Sequence, residues 1–359
     1  MRRAAALILG GGPAGSAAAI ALAQAGVRGT VIERTRETGD ALCGGFLSWR
    51  TLRTLERLGI AAEALNREAI TRVRLFGGGR VSEAPLPAPA RAVSRRRLDT
   101  LLLDRALALG AGVERGIAIR RVEGNAAITG DGGALTGDAV LLATGKHDVR
   151  GLPRPSVATD PAIGLRIRLT RTPALDRLVG DAIELHLFHG GYAGLVRQED
   201  GSANLCLAVR RSRLQAAGSP ALLLRELARD HPALGERMES LTGAAAIDAV
   251  ANVPYGWRAT ASVPGVYRIG DQAGVIPSLA GEGMGIALAS GMAAAQAVLA
   301  GEPPARFQPA FARRLRRPVG VAALLWRVAE RPGGARVMSL LAGSATLTDL
   351  AARLTRIGR

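Results

Sequence analysis

Three features of this 359-residue chain predict an α/β fold: a strand, glycine turn, helix and strand in succession at the start, alternating apolar runs in the middle, and a second glycine-dense strand-to-helix segment near the end. The expected architecture is a doubly wound parallel sheet of Rossmann-like type, interrupted by an antiparallel β-rich insertion and followed by a helical C-terminal tail. The corresponding division is 1–152 with 253–300 for the ligand-binding domain, 153–252 for the insertion, and 301–359 for the helical region.

The opening reads as strand 5–9 ("AALIL"), turn "GGGPAG", helix "SAAAIALAQAG" and strand 29–34 ("GTVIER"). A glycine-bearing loop, "ETGDALCGGFLSW", leads to a helix over 48–58. Residues 94–109 start with a capping-type serine and carry leucines at 98, 101, 102 and 109, which predicts an amphipathic helix. The runs 113–119 and 126–129 read as a small β-meander before a buried strand, "DAVLLATG". In the insertion, "AIGLRIRLT", "AIELHLF" and "ANLCLAV" alternate as antiparallel strands do, with one helix near 220–229. Strand "GVYRI" then precedes the second glycine segment and a long helix. The tail is arginine-rich and is expected to break at Pro318, Pro332 and the two glycines that follow.

Composition narrows the function classes. With 48% hydrophobic residues the chain can bury a large core, and disorder is excluded. The formal charge is +17, carried almost wholly by arginine, since Lys146 is the single lysine. Aromatics are only 3% and the arginines are scattered, so stacking platforms for bases are scarce and no nucleic-acid partner is expected. Cys43 and Cys206 stand far apart without a CxxC, which argues against a disulfide framework and a cysteine-rich zinc site. His186 and His189 are three apart on a strand and turn to opposite faces, so no metal is expected. The opening resembles a twin-arginine signal, but residues 10–13 interrupt its apolar run. With no apolar stretch of ~18 residues, a cytoplasmic chain is expected, at most peripheral to the inner face of the membrane through its basic C-terminal region.

The first ligand site is Gly10-x-Gly12-x-x-Gly15, directly after a strand and opening a helix. Glycines there permit the tight turn and the approach of pyrophosphate to backbone, and Pro13 and Ala14 start the helix whose dipole faces the anion. Glu33 ends the next strand, where a carboxylate accepts hydrogen bonds from ribose hydroxyls and repels a 2′-phosphate; Arg34 follows it. FAD or NAD fits, and NADP does not. The second segment favours FAD. Gly270 and Asp271 end a strand, Pro277 sets a turn, and Gly281, Gly283, Met284 and Gly285 open a helix whose free N–H groups suit the flavin's pyrimidine edge.

"GGGPAGSAAAIALAQAG…VIER", "SRRRLD", "ATG" and "GDQAGVIPSLAGEGMGIALASG" together resemble the FAD-dependent oxidoreductases of the glutathione-reductase-type fold that include aromatic hydroxylases (group A flavin monooxygenases), geranylgeranyl reductases and flavin halogenases. The resemblance implies cofactor contacts from Arg95, from Thr144 and Gly145 of "ATG", and from Cys43, Gly44 and Gly45 of "CGGFL". It implies Cys43 and Tyr192 as catalytic candidates. Tyr192 stands where geranylgeranyl reductases carry Y-x-W-x-F-P, but Gly194, Val196 and Arg197 depart from that pattern. The expected function is an NAD(P)H-driven hydroxylase of an apolar aromatic or polyketide-like small molecule, working through a flavin C4a-hydroperoxide, with NAD(P)H docking transiently. The alternatives are a geranylgeranyl-reductase-like alkene reductase and a flavin-binding carrier without turnover. Nothing in the sequence sets an oligomeric state.

Overall fold

The computed structural model describes residues 2–155, 158–239, 241 and 246–358. The chain opens with β1 (Arg2–Leu9), α1 (Pro13–Gln24) and β2 (Gly29–Glu33), then β3 (Phe46–Leu47), α2 (Trp49–Arg57), α3 (Ala62–Leu65), β4 (Ile70–Gly77) and β5 (Arg80–Ala92). Next come α4 (Arg95–Ala108), β6 (Gly112–Arg115), β7 (Ile119–Glu123), β8 (Ala126–Thr129) and β9 (Ala134–Leu142). The middle holds β10 (Ala162–Leu169), α5 (Pro173–Val179), β11 (Ala182–Phe188), β12 (Gly191–Arg197), β13 (Ala203–Arg210), α6 (Arg211–Ala217), α7 (Pro220–Asp230), α8 (Pro232–Met238) and β14 (Asp248–Val253). β15 (Val266–Arg268) leads to α9 (Gly283–Leu299), α10 (Pro304–Ala329), α11 (Gly334–Ala342) and α12 (Ala345–Leu354).

One sheet runs β6-β2-β1-β9 in parallel, with β15 parallel to β9 and β8 and β7 added antiparallel. The chain leaves β1 towards β2 on one side and returns through β9 on the other, so the carboxyl end of β1 is a switch point, where open α/β sheets bind ligands. The small side chains of α1 let it lie close on α9. A Cβ at Gly291 would come 2.1 Å from the Ala14 carbonyl oxygen, so only glycine permits this approach. Ile20, Leu98, Leu102, Ile286, Leu288 and Phe311 fill the core around these helices.

The second sheet runs β14-β10-β13-β12-β11-β4-β5-β3 and is antiparallel apart from the β11–β4 pair. It packs its outer face on α5, α7 and α8 through Leu165, Ile167, Leu175, Leu223 and Leu227. Three differences from the sequence reading stand out. The hairpin β4–β5 pairs with the insertion's strands rather than with the sheet of residues 1–152, and prolines 85, 87 and 89 had hidden β5, which tolerates them near the sheet edge. The run 113–119 divides, with β6 joining β2 in the parallel sheet and β7 beginning at Ile119. Helix α10 continues through Pro309 and Pro318, because Phe307, Phe311, Leu315, Val319, Ala322 and Trp326 bury one continuous face. That burial outweighs the roughly 3 kcal/mol an internal proline costs.

β11 turns Glu184 and His186 away from the first sheet. Glu184 is fully buried, bracketed by Arg74 Nη1 (2.6 Å) and by Arg237 through Nε (2.7 Å) and Nη2 (2.9 Å), with His186 Nε2 at 3.2 Å. Phe76 stacks on His186 (4.2 Å between centroids) and lies under the Arg237 guanidinium (5.0 Å). Burial alone would raise the Glu184 pKa, but the hydrogen bonds from His186 and Arg237 and the guanidinium charge reverse that and bring it down to about 2. His186 is lowered by burial and so is neutral at pH 7, leaving the two arginines to balance the carboxylate.

A carboxylate depressed in this way stabilises the fold fully above its unfolded value of 4.5 and loses that contribution as pH falls towards about 2. The contribution is on the order of 3 kcal/mol. Urea titrations across that window should show the acid loss of stability flattened in Glu184→Gln. An acid limb left unchanged by the substitution would refute the assignment.

Candidate functional site

The carboxyl ends of β1, β2, β6, β9 and β15 open on one cleft of about 990 Å³, which runs from Glu33 to the inner face of the second sheet. At its start the glycine turn is held from behind. Gly10 has φ +116°, and a side chain there or at Gly15 would strike backbone. Glu33 Oε2 accepts the Gly11 N–H (2.8 Å), and Oε1 accepts Thr35 N–H and Oγ (2.9 Å each). Burial opposes ionisation of Glu33, but these bonds outweigh it and hold the carboxyl below its usual range. Glu33 thus fastens the turn to β2 while Oε2 retains a lone pair for a ribose hydroxyl. Arg34 donates to His147 Nε2 (2.8 Å) across the rim, with His147 kept neutral by burial and by Arg34. Arg95 lines the cleft beside Gly12, its guanidinium paired in bidentate fashion with Asp99 (2.9 and 2.7 Å).

Asp271 lies at the same cleft after β15, its carboxylate without a side-chain partner among the described residues. Its peptide carbonyl and the Lys146 carbonyl accept from Arg154, which also pairs with Asp148. The helices α2 and α4 are capped by Ser48 and Ser94. By contrast α1 and α9, whose first residues face the cleft, have no side-chain cap, and the first helical bonds are Ser16 N to Gly12 O and Ile286 N to Glu282 O (2.9 Å each). Uncapped N–H groups at two converging N-termini suit an anion.

Between these ends runs the loop 38–45. Lys146 donates to the Leu42 carbonyl (2.7 Å). Arg166 donates to Asp40 (2.8 Å) and the Ala41 carbonyl (3.1 Å), and Arg168 also pairs with Asp40. The Cys43 carbonyl accepts from Asn204 Nδ2 (2.9 Å) and from Cys206 Sγ (3.1 Å), whose thiol burial pushes up to about 12. None of these ties was visible in the sequence, since each joins residues more than a hundred positions apart.

Gly10, Gly12, Pro13, Ala14, Glu33, Arg34, Cys43, Gly44, Gly45, Arg95, Thr144, Gly145, Asp271, Gly281, Gly283, Met284 and Tyr192 all line the cleft. Gly15, Gly270, Pro277 and Gly285 do not. They stand behind it, Gly15 against Gly10, Gly270 (φ +63°) against Ala14, and Gly285 against Glu282 and Thr51, while Pro277 is buried in the turn before Ser278. Their role is packing. Glu282, overlooked within "GEGMG", faces away from the cleft. It meets Arg356 Nε (3.3 Å), Ser48 Oγ (3.3 Å) and Ile357 N–H (3.3 Å), while Arg356 donates to the Ala280 carbonyl (2.5 Å). The C-terminal segment is therefore bolted beneath the second glycine turn. Among the described residues no cluster suits a metal ion.

The cleft fits FAD. A Cβ at Gly44, Gly145 or Gly283 would meet nothing within 4 Å, and at Gly12 only the tip of Arg95 at 3.3 Å, so bare backbone faces open cleft along its length. Glu33 and Asp271 both line it and offer carboxylate oxygens as acceptors for hydroxyls. Residues 3–150 match the family model described as FAD binding domain. The chain is 28% identical over 320 residues to menaquinone reductase of Mycolicibacterium smegmatis, covering 83% of this chain and 77% of that protein. It is also 28% identical over 322 residues to digeranylgeranylglycerophospholipid reductase 2 of Methanopyrus kandleri, covering 81% and 75%. Its fold superposes on PqsL of Pseudomonas aeruginosa, described as a probable FAD-dependent monooxygenase, with TM-score 0.73 and 19% identity over 94% of this chain and 99% of that one. These comparisons bear out the resemblance expected from the motifs, to FAD-dependent oxidoreductases of monooxygenase and reductase type.

A leucine at Gly283 would fill open cleft without touching the core. Gly283→Leu should fold with unchanged melting of the apoprotein yet bind FAD at least about tenfold more weakly. Flavin released from the purified protein measures this, and stoichiometric flavin in the variant would show that the α9 N-terminus is not a cofactor contact.

Proposed function

We propose that this chain is an FAD-dependent reductase of an apolar, chain-bearing substrate that carries a ring, with hydroxylation of such a ring as the second reading. The observation that supports the first is that the two reductases named above match over three quarters of their own length, and both are named for substrates with isoprenoid chains. This reverses the order suggested by the motifs alone. The cleft beyond the glycine turns is walled by Ile183, Leu185, Leu207, Val253 and Leu279. Gly194 lies in that wall where geranylgeranyl reductases carry an aromatic, which leaves room for a head group wider than a bare chain.

Bound FAD supplies hydride-transfer chemistry. The chain's own residues bind, orient and exclude water. The uncapped start of α9 favours negative charge beside Gly283 and Met284. The loop 38–45, pinned from both sheets, keeps Gly44 and Gly45 against the cleft, and the apolar wall keeps water from the reacting atoms. Cys43, half-buried in that loop, is the nominated proton donor at Sγ. The hydroxyl of Tyr192, the other catalytic candidate, is already committed as a donor to Ser278 Oγ (2.7 Å), so Tyr192 acts by positioning. NAD(P)H is the proposed reductant, docking transiently, because the described residues form a single dinucleotide-type parallel sheet.

Holoprotein incubated anaerobically with reductant and menaquinone or a geranylgeranyl lipid should yield product heavier by two hydrogens per double bond. Oxygen-dependent gain of one oxygen atom instead would select the hydroxylase. Reduction of the flavin without turnover of either substrate class would sink both.

The same reading includes contact with an anionic bilayer. No helix among the described residues is long and apolar enough to cross a membrane. On α11 and α12, Val337, Leu340, Leu341, Leu347 and Leu350 are 43% to 57% exposed on adjacent faces, beside the exposed Arg331 and Arg336. From residue 303 onward the chain has eleven arginines against two acids. Apolar side chains flanked by guanidinium groups match an anionic interface. The holoprotein should float with phosphatidylglycerol vesicles and not with phosphatidylcholine vesicles, and Leu340→Asp should weaken this at least about tenfold. Equal flotation with both lipids would remove the membrane from the proposal.

A further inference from the structure

Three hydroxyls meet at the end of the cleft farthest from Glu33. Tyr192 on β12, Ser278 in the turn after Pro277 and Tyr255 in the turn after β14 come from three separate stretches of chain, and all line the cavity. Tyr192 Oη donates to Ser278 Oγ at 2.7 Å, and Ser278 Oγ lies 2.6 Å from Tyr255 Oη. Both phenol rings rest edge-on against Trp326, at 5.6 and 5.8 Å between centroids, which fixes where their oxygens point.

Counting protons shows what this cluster lacks. Three hydroxyls carry three hydrogens, and two hydrogen bonds inside the cluster use two of them. Tyr192 spends its proton on Ser278, so Ser278 and Tyr255 share one bond and hold one proton over. No further acceptor for it stands among the described residues. One hydroxyl of the Ser278–Tyr255 pair therefore keeps a free proton; with Ser278 Oγ donating, a head-to-tail chain runs from Tyr192 through Ser278 to Tyr255 and ends on a phenol, a better donor than an alcohol. Burial holds both phenols protonated, with Tyr255 pushed up to about 12 and Tyr192 also raised, so the end group donates at any ordinary pH.

We propose that the Tyr192–Ser278–Tyr255 chain delivers one hydrogen bond, from Tyr255 Oη, to a ring-borne oxygen of the substrate, and so selects a quinone or phenol head group over a bare hydrocarbon. This rests on the reading of the apolar end of the cleft as the substrate site. The surroundings fit such a ligand, since the hydroxyls are the polar interruption in a wall of Leu185, Leu207, Val253 and Leu279. A cleft donor covered by a hydrocarbon loses its water without gaining a partner, and a ring oxygen supplies one. Tyr192 and Ser278 are positioning residues here, and only Tyr255 touches the ligand.

The test uses oxidised holoprotein without reductant and follows perturbation of the flavin spectrum by two probes of similar shape, 2-methyl-1,4-naphthoquinone and 2-methylnaphthalene. The unaltered protein should bind the quinone about tenfold more tightly, the worth of one hydrogen bond to a buried partner. Tyr255→Phe should erase that preference while 2-methylnaphthalene binds as before, and Ser278→Ala should reduce it in part. Equal binding of both probes by the unaltered protein, or a full preference retained in Tyr255→Phe, overturns the hydroxyl chain and leaves the substrate site standing. Binding of neither probe overturns the substrate site itself. The probe pair reads the preference on unaltered protein, so the proposal survives a poorly folding variant as a testable one.

Discussion

The close approach of α1 and α9 is the constraint from which the rest of the site follows. A Cβ at Gly291 would lie 2.1 Å from the Ala14 carbonyl oxygen, and at Gly15 1.9 Å from the Gly10 carbonyl oxygen, so no other side chain lets these backbones meet. Their contact brings together two helix N-termini separated by some 270 residues of sequence, each left without a side-chain cap. A lone helix start concentrates about half a positive charge. Two at one cleft make an anion site whose geometry is set by helix packing, not by flexible cations. Leaving those N–H groups uncapped costs stability that a serine would otherwise contribute, as Ser48 and Ser94 do for α2 and α4. Helices α3, α6, α8, α10 and α11 also lack a side-chain cap, but their first residues do not line the cleft.

The second constraint is the loop 38–45, which lies between the two sheets. Its backbone carbonyls are claimed from the first domain by Lys146 and from the second sheet by Arg166, Asn204 and Cys206. Asp40 gathers Arg166 and Arg168, and burial is outweighed there by those guanidiniums and the Arg96 N–H, which keep it ionised. A loop fixed at successive carbonyls presents its glycines to the cleft in one conformation. Gly44 has open space where a side chain would be, whereas Gly45 has φ +77° and sits against Gln198 and Val93. One glycine therefore leaves the cleft open and its neighbour serves the fold.

What the sequence revealed divides along the same line. The Gly10 to Glu33 unit was legible because strand, turn, helix and acid lie within some thirty residues, and each type has a local reason to be there. The second glycine segment was legible for the same reason, as were the capped helices α2 and α4. Legibility failed where a side chain's partner is distant. Arg356 under Glu282, Tyr255 beside Ser278 and Asn204 on the Cys43 carbonyl leave no periodic trace, because an isolated arginine, tyrosine or asparagine reads as surface. It failed also where propensity was overruled, at the proline-rich β5 and at Pro318 inside α10, where burial of Leu315, Val319 and Ala322 decided the outcome.

The basic composition follows from these distant contacts. Arg154, Arg166, Arg237 and Arg356 are each at least nine-tenths buried, and each binds more than one acceptor. A planar guanidinium with five donors can bridge a carboxylate and a backbone carbonyl at once, whereas an ammonium on a flexible stem cannot hold two fixed directions equally well. Using arginine as an internal rivet explains a chain with one lysine better than a selection for surface charge does. What remains outside is uneven, with Arg331 and Arg336 exposed beside the apolar faces of α11 and α12. Arg356, near the end of the same tail, is an interior arginine and holds the turn that precedes α9.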